Sequence, residues 1–250
     1  MKTHLIKLPK YAMINIFLIL LIAGIYIVAS DDNIRASFNS AAGFPIYQGR
    51  HDSNKVALEC CVDGSTVQVK KMLDVLQDSK ATMTFYVSAS WAKANDELIK
   101  RMNVDGHEIG ILGKDYKAAG SFGVEDVKRD IEYAADIIQN SCGARASLYT
   151  PFEVQPENRV LNPVYSAGCK AVLCTRNTYS SGGGDAGDIY TKAVKNAASG
   201  DLIMLYPGSG TVEALPRIIM QLREQGLELD TVGNILDKLS LKPGSVSNIM

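Results

Sequence analysis

Histidine is nearly absent from this chain. Only His4, His51 and His107 occur, and their scarcity removes much of the chemistry a hydrolase uses. Cys61 has no evident imidazole to make it a thiolate, so a cysteine nucleophile is not expected. His107 opens a strand and is read as structural or surface-lying. An excess of one charge is also lacking: 26 Lys and Arg face 27 Asp and Glu, a net charge of −1. No basic surface points to nucleic acid. The five cysteines, Cys60, Cys61, Cys142, Cys169 and Cys174, are odd in number and irregular in spacing, which is not a disulfide framework. No CxxC pair exists, which argues against a zinc site built from thiolates. Buried thiols are expected, with one bridge, Cys169–Cys174 or either to Cys60, as the alternative. Internal repeats and long low-complexity tracts are missing too. The glycine-rich stretch 180–185, SSGGGD, lacks the Lys and Thr of a phosphate loop and reads as a connection.

What is present divides into an N-terminal segment and one domain. Residues 1–10 form a basic tail, and 11–30 are almost wholly apolar. A run of about 19 apolar residues spans a bilayer as a helix. Lys2, Lys7 and Lys10 before it and Asp31 and Asp32 after it place the remainder outside the cytoplasm. An uncleaved single-pass anchor in the cell membrane is favoured. A cleaved signal peptide ending near Val28-Ala29-Ser30, giving a secreted protein, is the alternative. Residues 31–53 read as a linker or entry strand, 54–239 as the domain and 240–250 as a tail. Within the domain, strands are expected at 56–61, 82–87, 108–112, 147–152, 171–175, 201–206 and 228–232. Helices are expected at 67–76, 91–102, 124–138, 160–167, 189–198, 212–224 and 232–239. Repeated βα units favour parallel strands with helices outside. Pattern alone leaves an open sheet and a barrel both standing.

Several runs resemble the polysaccharide deacetylases, the NodB-homology family. They are 55–58 (KVAL), 81–87 (ATMTFYV), 106–110 (GHEIG), 200–205 (GDLIML) and 208–216 (GSGTVEALP). The stretch 44–47 (FPIY) resembles the run that precedes the catalytic domain in sporulation-type deacetylases of Gram-positive bacteria. The resemblance implies a distorted (β/α) barrel with its site at the C-terminal strand ends. It also implies a divalent metal held by one Asp and two His, a second Asp as base and a late His as acid. At those positions this chain departs. The usual TFDDG becomes Glu59-Cys60-Cys61-Val62-Asp63-Gly64, so Cys61 or Val62 takes the base position and Asp63 alone remains as a possible metal ligand. Its other reading is a turn residue before Gly64. Leu112 and Tyr116 replace the His pair. Tyr149 and its neighbours through Phe152 stand where Arg-Pro-Pro-Tyr is usual, Asn177 begins a stretch without the usual carboxylates, and Tyr206 holds the acid's place.

The expectation is therefore a membrane-anchored, extracytoplasmic deacetylase-like domain without hydrolytic activity. It would act on the cell envelope, in peptidoglycan or spore carbohydrate processes, by binding glycan or an envelope protein. No cofactor is expected. The alternative is a working N-deacetylase, a hydrolase of non-peptide C–N bonds, with a rearranged zinc-type site. Asp63 with Asp115 or Glu153 is the other conceivable metal set. Tyr116, Phe152, Tyr179 and Tyr206 are the glycan-binding candidates; filling of the vacated space is their other reading. Glu59 and Cys61 share a strand face, and Arg176 is the expected partner of Glu59 if that face is inward.

Overall fold

The computed structural model describes residues 17–22, 45–62, 64–114, 122–151, 158–179 and 184–237. The chain divides into two compact units, 1–42 and 43–250. In the first, residues 17–22 are helical, and the rest of the expected anchor lies outside the described residues. Among the described residues no helix is long and apolar enough to cross a membrane.

The second unit runs β1 (Lys55–Val62), α1 (Thr66–Asp78), β2 (Thr84–Val87), α2 (Ala89–Ala94), α3 (Asp96–Val104), β3 (Glu108–Leu112), α4 (Val124–Cys142) and β4 (Leu148–Thr150). It continues with α5 (Asn158–Ser166), β5 (Lys170–Ala171), β6 (Arg176–Asn177), α6 (Ala186–Val194), β7 (Leu202–Leu205), α7 (Ser209–Glu224), β8 (Glu228–Leu229) and α8 (Val232–Asp237). Every ladder is parallel, in the order β5-β4-β3-β2-β1-β7-β6, with β8 beside the start of β1.

Two expected elements are divided, each for a local reason. The helix expected over 91–102 breaks at Asn95, whose φ of −132° and ψ of 41° are not helical. Its side-chain amide donates to the Trp91 carbonyl at 2.9 Å, a local bond that competes with the helix ladder. The strand expected over 171–175 becomes β5 and β6, on opposite edges of the sheet. Val172 N–H donates to the Tyr149 carbonyl on β4, and Thr175 N–H donates to the Leu202 carbonyl on β7. Residues 172–175 thus carry the chain from one sheet edge to the other and curl the sheet into an incomplete barrel. Ile46 makes an isolated parallel bridge to Val172 there and Gly49 N–H donates to the Gly200 carbonyl, so 45–50 lies along the seam without forming a regular strand.

Alternation along the strands sorts two apolar layers. Outward residues such as Leu58, Phe85, Ile111, Ile203 and Leu205 pack under the apolar faces of α1, α4 and α7. Inward residues Ala57, Tyr86, Leu112, Leu148, Val172, Leu202 and Met204 fill the interior, which Val232, Ile235 and Leu236 of α8 join. Gly110 on β3 fits this interior because it has no side chain: a Cβ there would stand 2.5 Å from the Tyr86 ring and 3.1 Å from the Leu148 carbonyl.

Candidate functional site

The C-terminal ends of β1, β3, β6 and β7 converge on the mouth of the interior. Cys61 comes from β1, Leu112 from β3, Asn177 from β6, and Met204 and Tyr206 from the end of β7 and just beyond it. Cys174, between β5 and β6, lines the same interior. Strand register places Glu59 beside Met204 and Cys61 beside Tyr86. The Cys61 thiol lies 3.4 Å from the Met204 sulfur. Burial pushes the Cys174 thiol up to about 12 and also raises the Tyr206 phenol.

Glu59 sits at the centre of this wall with no exposed surface. Burial, aided by the charge of Glu108, raises its carboxyl to about 8, so the neutral acid predominates at pH 7. The Tyr86 hydroxyl is near enough to oppose that rise by more than the Glu108 charge adds to it, yet neither Glu59 oxygen nor the Tyr86 hydroxyl has a partner in hydrogen-bonding geometry. The expected Glu59–Arg176 pair is not formed. Arg176 lies on the outward parity of β6, beside Ile203. It donates to Asp201 at 2.7 Å and to the carbonyls of Lys195 and Asn196, bracing the turn after α6.

Two expected site positions face the wrong way. Val62 and Tyr149 alternate out of step with Cys61 and Thr150 and pack into the outer layer beneath the helices. Gly113 makes room for the Tyr149 ring, since a Cβ there would meet the hydroxyl at 2.1 Å. Of Cys61 and Val62, the two residues that could take the base position, Cys61 is therefore the inward one. His107 is buried, edge-on to Phe85 at 5.4 Å, with neither ring nitrogen hydrogen-bonded. Burial lowers it to about 4, so it is a neutral core ring rather than a surface group. All five cysteines are unbridged thiols. Asp63, Tyr116 and Phe152 lie outside the described residues.

The rim is aromatic. Tyr179 is 61% exposed and meets Tyr206 edge to face, with centroids 5.2 Å apart. Its N–H donates to the Asn177 side-chain oxygen at 2.9 Å and its carbonyl accepts from Lys192 at 3.2 Å, which fixes the backbone beneath the ring. Sequence reasoning found Tyr179, Tyr206, Cys61 and Leu112 but missed Met204 and Cys174. Their signal was parity: Met204 is two residues before Tyr206, and Cys174 two after Val172.

The divalent metal implied by the resemblance does not fit these residues. Leu112, at the first His position, is 5% exposed and packs in the apolar interior. Leu offers no donor at all. Among the described residues no group of three or more His, Cys, Asp or Glu side chains is arranged to hold a metal ion.

Parallel strands, an outer helical layer and a chamber at the C-terminal strand ends define an α/β barrel of the kind that carries enzyme sites. A family model for polysaccharide deacetylase matches residues 51–172. The Bacillus subtilis protein YlxY is 24% identical over 197 residues, 79% of this chain and 62% of its own length, so the chain spans about three-fifths of that relative. A peptidoglycan-N-acetylglucosamine deacetylase of Bacillus cereus is 28% identical over 172 residues, 66% of this chain and 80% of that protein. A CE4 family pseudoenzyme from Bacillus anthracis superposes with a TM-score of 0.72 at 18% identity, covering 78% of this chain and 69% of that one. The domain that includes residues 51–172 belongs to the polysaccharide deacetylase, or NodB-homology, family.

Proposed function

We infer that this protein is a polysaccharide-deacetylase-like glycan-binding protein of the cell envelope that does not hydrolyse its ligand. The observation that carries the reading is the Tyr179–Tyr206 pair. An exposed ring is held edge-on by a second ring at the mouth of the interior, above a wall made of Cys61, Leu112 and Met204. Aromatic faces pack against the C–H faces of sugars, and a ring held in place loses little freedom on binding. Among the described residues the wall below offers no imidazole, and its Glu59 carboxyl is buried and held neutral rather than ionised. The ionised carboxylate and the imidazole that acetyl hydrolysis uses are therefore not supplied there. The family and the Bacillus cereus relative's substrate make peptidoglycan the first glycan to try. The apolar segment 11–30 supports attachment to the membrane, with the domain on the outer side. An envelope protein docked beside the rim is the other class of partner.

The test uses the full chain in detergent with insoluble peptidoglycan. Wild type is expected to be retained, and Tyr179→Ala to weaken retention about tenfold, the loss of one well-placed ring contact. Acetate release is assayed in parallel with zinc, cobalt, nickel or manganese added, and none is expected. Equal retention of Tyr179→Ala removes the proposed surface. Acetate release abolished by Asp63→Ala means that the catalytic site has been rebuilt.

A further inference from the structure

The inward wall has exchanged one class of donor for another. Where the resemblance implies carboxylate and imidazole, the end of β1 and the end of β7 bring a thiol and a thioether into contact, Cys61 Sγ to Met204 Sδ at 3.4 Å. Both are soft donors, and a thiolate–thioether pair suits monovalent copper, whereas magnesium takes oxygen ligands. Two sulfurs bound to one metal at about 2.3 Å each stand about 3.7 Å apart at a tetrahedral angle. The sulfurs are thus within a few tenths of an ångström of a chelating separation. Met204 is buried and Cys61 half-buried, so the pair is shielded from bulk water on one side and reachable on the other.

A second observation points to the same place. Glu59 alternates inward two residues before Cys61 and is the register partner of Met204. It is fully buried, and neither carboxyl oxygen has a hydrogen-bond partner. A buried acceptor without a donor calls for a water or an ion nearby. We propose that Cys61 and Met204 form a binding site for a soft monovalent metal ion of the Cu(I) class, with the unpartnered Glu59 carboxyl facing it from below.

Charge favours a monovalent ion. Binding replaces the Cys61 S–H bond with a sulfur–metal bond, and the proton leaves to solvent. The thioether of Met204 gives a lone pair and loses nothing. One thiolate cancels one positive charge, so the occupied site is neutral inside the apolar barrel. A divalent ion held by the same pair would leave one uncompensated charge there. The oxidation state of the metal does not change on binding. The site goes beyond glycan binding and does not depend on it.

The test is titration of the full, reduced chain with Cu(I) under anaerobic conditions, against a chromophoric Cu(I) chelator. One ion per chain is expected, held by sulfur in X-ray absorption. Cys61→Ser and Met204→Leu should each weaken binding at least tenfold, while Cys142→Ser, on the outer end of α4, leaves it unchanged. Added zinc should not displace the copper. Should the variants fold poorly, alkylation of the wild-type chain gives an independent reading: Cu(I) protects Cys61 and leaves Cys142 reactive. Absence of bound copper, binding undiminished in both variants, or protection of Cys142 instead of Cys61 overturns the proposal.

Discussion

Glu59 and His107 are both kept neutral by burial, on opposite faces of the same sheet, and they pull stability in opposite directions. Glu59 is raised from 4.5 to about 8, so the folded state keeps a proton that the unfolded chain has released. Its contribution is fully present below pH 4.5 and is lost as pH rises to about 8. His107 is lowered from 6.5 to about 4, so its contribution is present above 6.5 and lost as pH falls toward 4. Between 4.5 and 6.5 the two slopes oppose one another. From 6.5 to 8 Glu59 acts alone, at about 1.4 kcal/mol per pH unit or about 2 kcal/mol over the interval. Metal-free wild type should lose urea midpoint across that interval, and Glu59→Gln should flatten the loss. An equally steep fall in the variant would assign the slope to another group. The inward face of Glu59 was legible from its alternation with Cys61, whereas its lack of a partner was not. Arg176 looked available in sequence, and only the pairing of β6 with β7 shows it turned outward toward Asp201.

The last helix shows what an element does that its pattern does not reveal. Residues 232–239 read as a short helix, and α8 is found at Val232–Asp237, with its apolar residues in the barrel interior. Thr84 and Glu108 hold its first turn in place. The Thr84 hydroxyl accepts from Val232 N–H at 2.9 Å and donates to Glu108 at 2.8 Å, and the same Glu108 oxygen accepts from Gly233 N–H at 2.9 Å. Thr84→Val keeps the shape and removes the hydroxyl, leaving the buried Val232 N–H without its acceptor. The expected cost is about 1–3 kcal/mol, with faster amide hydrogen exchange at Val232 and Gly233. A variant as stable as wild type, with unchanged exchange there, would show that the hydroxyl does not anchor the helix. The long amphipathic helices and buried strands were legible because their periodicity is local. The division of 171–175 was not, because Lys170 takes its register from β4 and Arg176 from β7, and those strands meet only once the sheet has curled. Tyr149 was misplaced for a related reason: a motif gives position along a strand, and only its neighbours give the face. Ile111 opposite Tyr149 and Leu112 opposite Thr150 settle that face.

At the scale of the whole molecule, a preserved barrel and a changed chamber make opposite demands on a metal-ion experiment. An ion that binds the folded chain but not the unfolded one stabilises it by about 2.7 kcal/mol at a hundredfold excess over its dissociation constant. For a domain of this size that raises the melting temperature by roughly 5–10 °C. A barrel with its carboxylate and imidazole ligands in place would show this rise with zinc and lose it with a chelator. Here Leu112 stands in the apolar interior, and the sulfur of Cys61 rests on Met204. A zinc-type site would have to draw on Asp63 with carboxylates such as Asp115 or Glu153, without the imidazoles or thiolates that make up most protein zinc sites. Melting of the full chain should therefore move by less than about 1 °C with excess zinc or with chelator. Reduced copper, bound between the two sulfurs, should raise it by several degrees. The comparison needs no catalytic assay, and it separates a rebuilt hydrolase from a barrel whose donors have changed class. A zinc-dependent rise abolished by Asp63→Ala would reverse the functional reading, because it would place a hydrolase-type ion where the wall offers sulfur and leucine.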